Sequence, residues 1–143
     1  HVGRAVVEIA RHLPCQIYWV DTDDDRYPED IVEEVTKLPA RKPETIAPHA
    51  PGNAIHLIMT YSHKIDFEIV SAVLSCGNFA RCGLIGSETK AARFSKRLKD
   101  AGLKSDTIER LTCPIGLPEI TGKKPLQVAI SVTAQLSNWL ETR

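Results

Sequence analysis

The sequence has no surplus charge of either sign, no C-x-x-C pair, few aromatic residues and no long apolar run. Lys plus Arg is 18 and Asp plus Glu is 18 in 143 residues. That balance removes the simplest case for a nucleic-acid binder, which needs a basic surplus to offset phosphates. The longest apolar stretches fall far short of the roughly 18 to 20 residues that cross a bilayer. Neither nucleic acid nor membrane is therefore expected as a partner. Four cysteines, Cys15, Cys76, Cys82 and Cys113, are too few for a disulfide scaffold and lack zinc-finger spacing. They read as separate reduced thiols in a cytosolic protein. What is present is ordinary for a globular domain: 43% hydrophobic and 25% charged residues.

The apolar spacing alternates between two periods. Ala5, Val6, Ile9, Ala10 and Leu13 suit a helix over 4–13, closed by Pro14. Cys15 to Val20 reads as a strand. Residues 29–38 fit either a short helix or a strand over Val32 to Thr36. Prolines 39, 43, 48 and 51 with Gly52 make 39–53 a loop. Strands follow at 54–61 and 81–85, and helices at 64–76 and 88–100, with Gly102 just past the second. Ser105 to Leu111 reads as one or two helical turns with Ser105 as N-cap. Pro125 opens a final helix. Short strands alternating with helices of about a dozen residues indicate an α/β, Rossmann-like three-layer fold with a mostly parallel sheet. The chain is read as one such domain over 1–143.

The chain opens on a helix, where this architecture ordinarily opens on a strand. His1-Val2-Gly3-Arg4 resembles the end of a G-x-G-x-x-G turn with Gly3 as its third glycine. The first strand and two leading glycines would then lie before His1, and the chain would be a piece of a longer protein. Asp21, at the end of the next strand, can accept hydrogen bonds from a ribose or similar diol.

Three further groups carry candidate chemistry. The turn Gly83-Leu84-Ile85-Gly86-Ser87 leads from a strand into a helix, where free N–H groups favour an anion. Lys90, Arg93 and Arg97 follow at i, i+3 and i+7 on that helix. Residues 87–104 hold six basic and two acidic side chains, while 21–34 hold eight acidic and one basic. The neutral total thus hides two opposite charge runs. In Thr60-Tyr61-Ser62-His63 with Asp66, Ser62 or His63 either caps a helix or faces a ligand crevice. Cys113, fixed by Pro114 and followed by Gly116, is either a buried thiol in a rigid loop or a thiol activated by nearby cations.

Together these stretches resemble the C-terminal domain of the xanthine dehydrogenase accessory protein family, the XdhC/CoxI type. The resemblance is carried by His1-Val2-Gly3-Arg4-Ala5, Ile17-Tyr18-Trp19-Val20-Asp21, Thr60-Tyr61-Ser62-His63 with Asp66, and Gly83-Leu84-Ile85-Gly86-Ser87 with Lys90 and Arg93. Cys113-Pro114-Ile115-Gly116-Leu117 and Ala129-Ile130-Ser131-Val132 with Ala134 and Gln135 complete it. It implies a molybdenum-cofactor chaperone of the cytoplasm, without turnover of its own, that holds molybdopterin and delivers it to a xanthine dehydrogenase or related molybdenum hydroxylase. The family's separate N-terminal domain is not in this chain. Implied partners are the hydroxylase apoenzyme, a cysteine desulfurase and a second copy of the chain. The implied cofactor-binding residues are His1, Val2, Gly3, Arg4, Asp21, Ser62, His63, Asp66, Gly86, Ser87, Lys90, Arg93 and Cys113. On this reading Lys90 and Arg93 take the cofactor phosphate, and Cys113 lies near its metal end. Two alternatives stay open: an NAD-dependent oxidoreductase with His63 as acid, and a nucleotide-sensing regulatory domain.

Overall fold

A computed structural model describes residues 1–31 and 33–142. The order of elements is α1 (Val2–Ala10), β1 (Ile17–Asp21), β2 (Val35–Pro39), α2 (Pro43–Ile46), β3 (Ile55–Ile58), α3 (His63–Cys76), β4 (Arg81–Leu84), α4 (Glu88–Asp100), α5 (Ser105–Ile108), β5 (Leu111–Thr112) and α6 (Pro125–Thr142). Every strand pair among the described residues is parallel, as the alternation of strand and helix implies. No helix among them is long and apolar enough to cross a membrane.

The chain forms two compact units. The first comprises His1–Pro43 and Gly116–Thr142. It holds the two-stranded sheet β1-β2, with Ile17 opposite Val35 and Asp21 opposite Pro39. Helices α1 and α6 pack together here, burying Val6 and Ala10 on one and Ala129, Val132, Leu136 and Trp139 on the other. The second unit, Glu44–Ile115, holds the three-stranded sheet in the order β3-β4-β5. Its core joins Ile58, Val70, Val73, Leu74, Cys82, Leu84, Phe94, Leu98 and Ile108. The middle strand β4 is closed off from water at Cys82, Gly83 and Leu84, as a parallel strand covered on both faces should be.

Several boundaries differ from the sequence expectation, each for a local reason. Helix α1 ends at Ala10, not Leu13, because Pro14 disfavours helical geometry at the residue before it. Leu13 instead donates to the Ala10 carbonyl in a tight turn. The ambiguous stretch resolves as a strand from Val35, and its expected start at Val32 lies outside the described residues. The proline-rich loop contains α2 and a 3-10 turn at Ala47–His49. Ser105 does not cap α5; Lys104 occupies that position without a side-chain bond. Leu111, expected as the last residue of the helical turns, instead opens β5, a strand whose two residues carry no period.

Candidate functional site

In a parallel sheet all strands end on the same edge. In the second unit this edge carries the turn Thr60–Ser62 after β3, the turn Ile85–Ser87 after β4, and Cys113-Pro114 after β5. Ligands of open α/β folds bind at such carboxyl edges. The Ile85 N–H donates to the Ile58 carbonyl, and Ile115 N–H donates to the Leu84 carbonyl, both at 3.0 Å. Pairing thus continues past the regular strands and holds the three turns side by side.

Each turn begins a helix or a rigid loop for a chemical reason. Ser62 caps α3 by accepting the Ile65 N–H at 3.3 Å, which settles the choice between Ser62 and His63 as cap. Ser87 caps α4 by accepting the Lys90 N–H at 3.1 Å. Thr60 Oγ1 accepts the Ser62 N–H and donates to the Ser62 carbonyl, bracing the first turn. His63 is exposed at the first position of α3.

Beneath the two caps lies a buried ion pair. Lys90 Nζ stands 2.8 Å from Asp66 Oδ2, with side-chain exposures of 9% and 1%. The ammonium also donates to the Ile85 carbonyl at 2.8 Å. Asp66 Oδ1 in turn accepts the Thr60 N–H at 2.8 Å. Asp66 and Lys90 belong to different helices, and together they tie one strand-to-helix turn to the other. The stem of Lys90 crosses Gly86 on its way. A Cβ at Gly86 would come within 2.6 Å of Lys90 Cδ, so this glycine makes room for the lysine.

The basic run on α4 is divided by this packing. Lys90 points into the unit and toward the Phe94 ring, 5.4 Å from its centroid. Arg97 stacks on Phe67 at 3.9 Å, itself edge-on to Phe94. Arg93 is exposed. The sequence placed all three on one cationic face; in the structure only Arg93 keeps its charge in water without an aromatic or buried partner among the described residues.

Cys113 is half-buried behind a cis bond to Pro114. Burial pushes its thiol upward, Lys90 opposes this, and Glu88 and Asp66 add to it. Burial, the largest of these causes, favours the buried-thiol reading of Cys113 over the activated one. Ile115 ends this unit. In the first unit, Gly116 has φ +118°, and a Cβ there would meet Ser131 Oγ at 2.5 Å. Its N–H donates to Gln135 Oε1 at 2.6 Å, and Leu117 N–H donates to Ser131 Oγ at 2.8 Å. Gly116 and Leu117 therefore belong with the Ser131 and Gln135 positions of α6 to one bonded arrangement inside the first unit.

The remaining sequence candidates lie in the first unit. His1 sits at the N-cap of α1 without a side-chain bond, and its carbonyl accepts the Ala5 N–H. Val2 and Gly3 form the first turn, and nothing lies within 4 Å of a Cβ placed on Gly3. The close helix-to-strand packing expected of a third glycine is absent among the described residues. Arg4 donates to the Arg26 carbonyl at 3.4 Å. Asp21 ends β1, as expected. Its Oδ1 accepts the Thr22 N–H at 2.8 Å and faces Arg26 at 3.7 Å. Tyr27, which the sequence did not single out, donates to the Trp19 carbonyl and accepts the Asp21 N–H. Burial raises its phenol above the ordinary value, and the Asp21 and Asp24 charges add to that.

No three His, Cys, Asp or Glu side chains among the described residues converge to hold a metal ion. Thr60 and Ile85 stand in the motifs quoted from the sequence, but their roles as partners of Asp66 and Lys90 were not assigned there. The signal for them was an acid in the first turn of one helix and a lysine in the first turn of the next.

Residues 1–136 match the family model described as the XdhC Rossmann domain. Among solved structures, the chain is similar to a xanthine dehydrogenase from Bacillus halodurans, with a TM-score of 0.78 and 22% identity. The match covers 99% of this chain and 40% of that one, so the chain spans well under half the length of that protein. No curated protein sequence matches it.

Proposed function

The chain belongs to the XdhC Rossmann-domain family, and from that premise we propose that it serves the maturation of xanthine dehydrogenase by holding the molybdenum cofactor for delivery. The observation that carries the proposal is the match over residues 1–136, with three turns gathered on one edge of the β3-β4-β5 sheet. The partners in this reading are the apo form of a molybdenum hydroxylase, a cysteine desulfurase supplying sulfur, and a second copy of the chain. A cytoplasmic location is part of the same proposal.

The donor set at this edge fits a phosphate-bearing pterin. Ser87 and the first N–H groups of α4 offer donors to an anion, with Arg93 exposed one turn further on. Ser62 and His63 offer hydroxyl and imidazole groups suited to the hydrogen-bonding edge of a pterin. Cys113 offers a neutral thiol rather than a thiolate. The group would bring its own dithiolene-held metal. These residues bind and orient; none is assigned a proton transfer.

Reconstitution tests the reading. Full-length protein loaded anaerobically with molybdenum cofactor should activate apo-xanthine dehydrogenase, and Arg93→Ala should weaken cofactor retention. Protein that retains no pterin under these conditions would sink the proposal.

A second reading, dinucleotide binding in the first unit, is favoured by Asp21 at the end of β1 beside the start of an acidic run. A carboxylate there suits a ribose diol and disfavours a 2′-phosphate. Saturable NAD binding lost in Asp21→Ala would support it; a flat titration would dismiss it.

A further inference from the structure

We propose that Asp66 and Lys90 act as a positioning pair for the candidate site, with Lys90 holding the two turns in register and not serving as a ligand of the bound anion. The inference rests on the cofactor-binding reading for what the turns hold, but its structural basis is independent of it. The family resemblance offers Lys90, in the first turn of a helix after a Gly-Ser turn, as a phosphate ligand. The structure gives its ammonium two protein acceptors at 2.8 Å, Asp66 Oδ2 and the Ile85 carbonyl.

The geometry explains why this pair is built as it is. Asp66 has two oxygens and uses one for Lys90 and one for the Thr60 N–H. Thr60 in turn braces Ser62, the cap of α3. Lys90 bonds to Ile85, and its own N–H is the one that Ser87 caps. A continuous chain of hydrogen bonds therefore runs from the Ser62 turn through Asp66 and Lys90 to the Ser87 turn. Gly86 completes it, because a side chain there would block the lysine stem. A buried ion pair is a poor source of net stability compared with apolar residues of similar size. Its value lies in fixing one arrangement of the two polar turns, since both charges are satisfied only when both turns are in place.

A comparison of four proteins separates positioning from direct contact. Wild type, Lys90→Met, Asp66→Asn and the paired apolar replacement Asp66→Leu with Lys90→Met are titrated anaerobically with molybdenum cofactor, followed by pterin fluorescence. A positioning pair gives about a tenfold loss for each single change and no further loss for the double. If Lys90 were an anion ligand, Asp66→Asn would release it and leave affinity equal or higher, which would overturn the inference. The double replacement leaves no buried charge and keeps the test valid if a single variant does not fold. Wild-type affinity in that folded double variant would also overturn it.

Amide hydrogen exchange reads the same pair without ligand. In the double variant, the capped amides at Ile65 and at position 90 should exchange about tenfold faster, while Val73 in the core of α3 stays protected. Unchanged exchange at both caps would refute the positioning role. If wild type binds no cofactor but the caps loosen as expected, the functional reading fails and the pair stands.

Discussion

The two units place an ion pair at the same distance in opposite surroundings. Lys90–Asp66 in the second unit and Lys37–Asp24 in the first both stand at 2.8 Å. The former pair is 9% and 1% exposed, the latter 38% and 72%. The sheets differ in the same sense. Cys82 and Leu84 of strand β4 in the second unit are fully buried, whereas Tyr18, Val20 and Leu38 of the β1-β2 sheet are exposed. Distance is therefore a poor guide to what a contact does. Burial decides, because a charge that leaves water must be satisfied by the protein or not be there.

Four predictions, made with six substitutions, put this contrast to the test. The largest effect is expected from Asp66→Ala, which strands the Lys90 ammonium in the interior. It should cost about 3 to 5 kcal/mol, read from urea unfolding. Asp24→Ala, at an equally short pair, should cost under about 1 kcal/mol. Equal costs at the two pairs would erase the distinction between the units. Next comes the core: Leu98→Ala should lose about 2 to 5 kcal/mol, against about 0.5 kcal/mol or less for Leu38→Ala.

The third effect is on pH dependence. Burial pushes the Cys82 thiol from 9.0 up to about 12. Below pH 9 the thiol is neutral in both the folded and unfolded chain, so it adds no pH dependence. Between pH 9 and about 12 the unfolded chain loses this proton and the folded chain keeps it. Stability should then fall by about 1.4 kcal/mol per pH unit from this group. Cys82→Ala should flatten the slope, leaving the part due to Tyr27, whose phenol is also raised. An unaltered slope would mean that Cys82 does not remain protonated in the fold. The smallest effect is Ser87→Ala, about 1 kcal/mol for the lost cap of α4. A loss several times larger would show that the cap and the ion pair below it fail together.

The long elements were legible in the sequence because they carry a period. Helices α3 and α4 were placed within a residue, since Ser62, Ser87 and Gly102 mark their ends and their apolar residues recur at helical spacing. Gly102, with φ +98°, follows α4 as expected. Strand β5 was not legible, because two residues carry no period and their strand pairing with Cys82 and Gly83 is non-local. The site was legible as a set of turns and illegible as a set of contacts. Asp66 and Lys90 are 24 positions apart, and nothing local reveals that one neutralises the other. The same holds for Arg97, which stays exposed while its guanidinium stacks on Phe67, a residue far from it in sequence. Tyr27 was passed over because its role depends on two main-chain groups of β1.

We propose that the turns ending β3, β4 and β5 hold a phosphate-bearing pterin. Anaerobic titration of the full-length protein with molybdenum cofactor, for wild type and Ser87→Asp, tests it most directly. The aspartate can still cap α4 while placing a negative charge where the phosphate would sit. The account requires saturable binding by wild type and its loss in a Ser87→Asp protein that melts like wild type. Equal binding by both, or binding by neither, would contradict it.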